Sequence, residues 1–97
     1  MLNSKQRANL RSVATALDTI LYIGKGDLTD NIIKQADDAL TARELIKGKV
    51  LETSELSSRE VADLIAEKLD ADVVQVIGSK FVLFRRNFEK AKYDDLL

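Results

Sequence analysis

Residues 73–84, VVQVIGSKFVLF, constrain the fold more than any other stretch of the chain. Two apolar runs, VVQVI and KFVLF, flank Gly78-Ser79, a two-residue connection suited to a tight hairpin. A hairpin with one wet face alternates apolar and polar side chains, and neither run does so. Such runs belong to central strands or to strands covered on both faces. The rest of the chain must supply that cover.

Its periodicities say how. Ser4 can cap a first helix in which Leu10, Val13, Ala14 and Leu17 recur at helical spacing, with Arg7 and Arg11 one turn apart on one edge of the stripe. The next segment, TILYI, is β-branched and aromatic and reads as a short strand ending at Gly24. Thr29 is a good N-cap for a second helix, Asp30 suits the positive end of its dipole, and Leu28 and Ile33 have staple spacing. Ile32, Ile33, Ala36 and Leu40 form its apolar stripe. RELIKGKVL alternates as a strand, with Ile46, Gly48 and Val50 on one face and Leu45, Lys47, Lys49 and Leu51 on the other. Gly48 inside it marks a weakened strand, a bulge or a close approach. Ser57 and Glu60 make the capping box of a third helix, with Leu56 and Val61 as its staple and Val61, Leu64, Ile65 and Leu69 as its buried face.

The order α-β-α-β-α-β-β predicts one compact α/β domain, a four-stranded mixed sheet packed with helices. Its βαβ steps should cross right-handedly, and its last two strands should be antiparallel. Residues 87–97, NFEKAKYDDLL, read as a tail that is either a short helix packing Phe88 or loose.

Absences narrow the function. With neither Cys nor His among 97 residues, disulfides, thiolate nucleophiles, serine-hydrolase triads and the usual zinc sites are excluded, and an enzyme is not expected. No apolar run approaches the ~20 residues of a membrane helix. The start, MLNSKQRANL, lacks the apolar core of a signal peptide, which predicts a cytoplasmic protein. Net charge is −1, so no overall basic bias marks a nucleic-acid binder. The charge is segregated, however. Residues 52–72 hold seven acids against Arg59 and Lys68, whereas residues 73–92 hold Lys80, Arg85, Arg86, Lys90 and Lys92 against Glu89. That pattern predicts faces of opposite sign, or simply helices with acidic wet sides.

One junction invites a ligand. In YIGKGDLTDN, residues 22–31, a strand meets two glycines around Lys25 and then a helix start. Free N–H groups of a first helical turn favour an anion there, glycine admits close backbone approach, and Lys25 adds a cation. The alternative is a tight turn and nothing more. Thr29 occupies the place of the third glycine in G-x-G-x-x-G, and no G-x-x-x-x-G-K-[ST] follows, so no nucleotide cofactor is expected. KFVLFRR matches the end of an RNP1-like pattern, but its glycine-aromatic head is missing. Phe81 and Phe84 fall on opposite strand faces and read as core. With five aromatics in the chain, base stacking is not expected to be the main binding mode.

The segments SKQRANLRSVA, YIGKGDLTDNIIKQADDAL, ARELIKGKVL and DVVQVIGSKFVLFRR, in this order, resemble the CRM domain, most closely its single-domain bacterial YhbY form, over residues 2–86. The resemblance implies a fold related to the C-terminal domain of translation initiation factor three. It also implies RNA binding in assembly of the large ribosomal subunit, through contact with precursor ribosomal RNA. The family's GxxG loop, similar to the backbone clamp of KH domains, falls on Gly24, Lys25, Gly26 and Asp27. Two positions depart from the family: Asp27 replaces the last glycine, and Gly48 stands where a bulky β-former is usual. Asp27 can be accommodated if its carboxylate turns inward to cap the helix while Lys25 faces RNA. The expected RNA-binding set is Gly24, Lys25, Gly26 and Asp27 with flanking Arg7, Arg11, Lys47, Lys49, Arg85 and Arg86. No cofactor, metal, membrane or small-molecule substrate is expected. The alternative is a protein–protein adaptor that docks a ribosomal protein or assembly factor without touching RNA.

Overall fold

The structure, a computed structural model, describes residues 2–89 and 91–97. The elements follow the expected order: α1 (Ser4–Ala14), β1 (Thr19–Ile23), α2 (Asp30–Arg43), β2 (Leu45–Val50), α3 (Ser58–Leu69), β3 (Asp72–Ile77) and β4 (Lys80–Phe84), closed by a 3-10 turn at Asp94–Leu96. The sheet order is β1-β2-β4-β3; β1 and β2 run parallel, and β4 runs antiparallel to both β2 and β3. β4 is thus central, and four of its five residues, Phe81–Phe84, are buried. β3 is an edge strand, and its apolar run is covered less completely: Ile77 is 63% exposed.

Helices cover both faces. Leu21, Ile23, Ile46, Phe81 and Leu83 pack with Ala36 and Leu40 of α2 and Val61, Ala62, Ile65 and Ala66 of α3. On the other face, Leu45, Val74, Val82 and Phe84 pack with Leu2 and with Leu10 and Ala14 of α1. Phe81 and Phe84 therefore do serve opposite cores.

Local signals set the helix ends with two adjustments. α1 is capped by Asn3, not Ser4: its side chain accepts from the Gln6 N–H (2.8 Å), and Gln6 Oε1 accepts from the Asn3 N–H (2.9 Å). This reciprocal box satisfies two donors where Ser4 would satisfy one. Thr29 and Ser57 cap α2 and α3 as expected. α3 is rolled about its axis, so Ala62 and Ala66 are buried beside Val61 and Ile65 while Leu64 is left 38% exposed. Two small residues let the helix lie close to the sheet, a preference that apolar counting does not register.

Among the described residues of the tail, Phe88 is not what holds it to the fold. Phe88 is 80% exposed, whereas Tyr93, Leu96 and Leu97 pack on the α1 side of the sheet. Its anchor is Glu44, which is 1% exposed and lies at φ 63° between α2 and β2. The Glu44 carboxylate accepts the backbone N–H groups of Asn87 (2.8 Å) and Lys92.

Candidate nucleic-acid interface

Gly24–Asp27 closes as a turn, with the Asp27 N–H donating to the Gly24 carbonyl (3.0 Å). Gly26 sits at φ 93°, the left-handed value that a type II turn demands at its third residue. Lys25 projects from the exposed tip. Asp27 has φ 51° and its carboxylate is turned inward, but it caps no part of α2. It accepts instead from Ser54 Oγ and from the Glu55 N–H (3.1 Å), pinning the glycine loop to the segment before α3. The cap of α2 is Thr29, whose side chain accepts from the Ile32 N–H (3.2 Å). A Cβ on Gly24 would lie 3.1 Å from Thr53 Oγ1, so this loop and residues 51–55 are in contact along their length.

Beside the loop the sheet is open. Strand register aligns Tyr22 with Lys49, Lys49 with Lys80, and Lys80 with Ile77, one row across all four strands. Strands lie about 4.8 Å apart, so the row spans about 14 Å. Lys47 and Gln75 flank Val82 in the next row. These side chains share the α1 face, because β2 alternates and Leu45 of the same set packs under α1. α1 stops short of them. Ala14, Thr15, Lys47, Gln75, Ile77, Lys80 and Val82 border a hollow of about 220 Å³ where the helix ends. Tyr22 is 52% exposed, and Lys25 and Lys80 are exposed. Among the described residues, no carboxylate pairs with Lys25, Lys47, Lys49 or Lys80.

Lys49 thus lies at the loop end of the sheet near Lys25, while Lys47 on the same face stands one row inward, opposite Thr19 and Val82. Arg11 is exposed on α1, while Arg7, one turn earlier, donates through Nε to the Val73 carbonyl (3.2 Å) at the sheet edge. Arg85 and Arg86 do not flank the loop. They follow Phe84, which pairs with Leu45 at the opposite end of the sheet. Arg85 is bound to Asp37 Oδ1 (2.8 Å), the Asp37 and Leu69 carbonyls (both 3.0 Å) and Thr41 Oγ1 (2.9 Å). Arg86 pairs with Asp94 (2.9 Å) and lies over the Phe88 ring, 4.7 Å from its centroid. Both guanidiniums hold the fold together, which their place in a basic segment does not reveal.

Tyr22, Lys80, Gln75 and Ile77 were missed by sequence reasoning. The signal for Tyr22 was a polar-tipped aromatic within an otherwise aliphatic strand. For Lys80 it was a cation beside the hairpin turn, informative only once β4 is known to adjoin β2. Exposed Asp38 on α2 and Glu60, Asp63 and Glu67 on α3 stand on the far face of the sheet, and α1 has no acid, whereas exposed Asp30, Glu52 and Glu55 stand beside the glycine loop and Asp18 shares a hollow with Lys47. Among the described residues no group of three or more His, Cys, Asp or Glu is placed to hold a metal ion. No described helix is long and apolar enough to cross a membrane.

Residues 2–85 match the CRS1 / YhbY (CRM) domain family. The chain is 40% identical over 94 residues to the probable RNA-binding protein YqeI of Bacillus subtilis, covering 97% of this chain and 98% of that protein. It is 32% identical over 91 residues to a Haemophilus influenzae protein named RNA-binding protein, covering 94% and 91%. The solution structure of the hypothetical protein SAV1595 from Staphylococcus aureus superposes with a TM-score of 0.77 at 45% identity, covering 90% of this chain and 91% of that one. On sequence and fold together, the chain belongs to the CRS1 / YhbY (CRM) domain family.

Proposed function

We propose that this protein is a non-enzymatic RNA-binding protein of the cytoplasm that acts on precursor ribosomal RNA in large-subunit assembly. The observation that carries RNA binding is the gathering of Lys25, Lys47, Lys49 and Lys80, none paired to a described carboxylate, around an exposed tyrosine in a chain of net charge −1. Ammonium groups without carboxylate partners are available to phosphate, and releasing the counterions of the RNA favours the complex. The ribosomal target rests on the family membership and on the RNA-binding names of the relatives.

In this reading Lys25 and the Gly24–Gly26 backbone hold one phosphate, and Lys47, Lys49 and Lys80 hold others along the open row. The inward turn of Asp27 removes its carboxylate from the path of the RNA. Titration with RNA over a salt series should give a slope of log affinity against log salt of roughly −3 to −4, as expected for about four neutralised phosphates. Lys25→Glu and Lys49→Glu should each weaken binding with circular dichroism unchanged. A flat salt response would refute the mechanism. Crosslinking in cells should map the protein to ribosomal RNA of the large subunit. If the partner is a protein docked on the acidic α2–α3 face, its capture will survive RNase and the lysine variants will bind it normally.

A further inference from the structure

The register of β3 is shifted between Val73 and Gln75: Val73 pairs with Leu83, yet Gln75 pairs with Val82, leaving Val74 as an extra residue. Strict alternation would put Gln75 on the same face as Val73, toward α3. The shift instead puts two successive residues on the α1 side. Val74 goes beneath the helix, where it is 2% exposed, and Gln75 goes to the open hollow at the helix end. Ile77 follows onto the same side and is left 63% exposed. A bulge that re-aims a side chain is a recurrent device beside functional sites. The side-chain amide of Gln75 has no hydrogen-bond partner among the described residues, and Lys47 and Lys80 border the same hollow. An amide offers one acceptor and two donors together, the complement of a nucleobase edge.

We infer that this hollow is a base-reading subsite for single-stranded RNA, with Gln75 reading the edge of one base and the Tyr22 ring, across the sheet on β1, carrying another further along the strand. The inference rests on the RNA-binding reading above and adds which form of RNA is bound. Lys49 lies between Tyr22 and Lys80 in the row, so a strand crossing the sheet meets a cation between its two base positions. Charge complementarity to the backbone and an unstacked base at each edge strand of the sheet select a single strand. In a duplex the base edges are already paired, and no ring face is free for Tyr22.

The test titrates the full chain with fluorescently labelled single-stranded uridylate, adenylate and cytidylate oligomers, with an adenylate–uridylate duplex, and with an oligomer carrying one abasic position. Single strands should bind at least about tenfold more tightly than the duplex. Tyr22→Ala should cost about 5- to 150-fold, the range of one lost base stack, while Tyr22→Phe keeps most of the affinity. Gln75→Ala should erase the preference among the three oligomers and leave the affinity for the abasic one unchanged. Urea unfolding midpoints of the variants should match the parent, which separates recognition from folding. If Lys49→Glu abolishes binding while Tyr22→Ala and Gln75→Ala bind every oligomer like the parent, the base-reading subsite is refuted and RNA binding stands. Equal affinity for duplex and single strand refutes it as well. If no RNA binds even at low salt, the proposed function falls and the subsite with it.

Discussion

Gly48 lies under the ring of Phe81, and a Cβ in its place would be 2.2 Å from Phe81 Cζ. The glycine leaves room for an aromatic on the neighbouring strand, where it pairs directly with Phe81. Close approach is realised at Gly48, next to a register shift in β1 between Thr19 and Leu21, which faces Lys47 and Gly48. Gly48→Val should destabilise the protein by about 3 kcal/mol by overpacking. Phe81→Leu should recover part of that loss, with a coupling of about 1–3 kcal/mol in a urea-unfolding double-mutant cycle. Additive losses would show that the two positions do not compete for the same space. Asp27 poses a different case: its left-handed φ is tolerable for an aspartate, and its carboxylate satisfies donors on the next loop. Asp27→Ala should cost about 1–2 kcal/mol of stability by removing that acceptor, with little change in RNA affinity. A large loss of affinity without destabilisation would place the carboxylate at the ligand.

Helix and strand identities follow from signals within a few residues, which is why they were legible. The Ser57–Glu60 box, the Thr29 cap and the alternation of RELIKGKVL each express local geometry that tertiary contacts reinforce. The tail was not legible, because what orders it is remote in sequence. Glu44, between α2 and β2, receives two of its N–H groups, and the Tyr93 ring meets Phe84 edge-on with centroids 6.5 Å apart. Glu44→Ala should leave those N–H groups without their acceptor and lower stability by about 2–4 kcal/mol. Deleting residues 87–97 should likewise lower the thermal midpoint, by uncovering the apolar surface beneath Tyr93, Leu96 and Leu97. An unchanged midpoint after the deletion would mean the tail adds nothing to the core it touches.

Across the whole molecule, cations of two kinds are separated. The lysines at the open end of the sheet have no described carboxylate partners, whereas Arg85 and Arg86 at the other end are bound within the fold. Arg85→Ala should therefore cost about 1–2 kcal/mol of stability, since it removes four hydrogen bonds and strands the part-buried Leu69 carbonyl, and should leave the RNA salt slope unchanged. Lys49→Glu should do the reverse. If Arg85→Ala instead flattens the slope with stability intact, the ligand reaches the far end of the sheet.

The division between what is local and what is not runs through the candidate site itself. Apolar period, caps and turn residues specified three helices, four strands and the loop at Gly24–Asp27, because each depends on dihedrals and neighbours a turn or a pleat away. Strand order and register depend on pairings across tens of residues, to which local period is blind. They brought Lys80 beside Lys49, sent Arg85 to the far end, and through one extra residue in β3 turned Gln75 from the α3 side to the open hollow. The loop was written in the sequence, but the surface around it was assembled by the sheet.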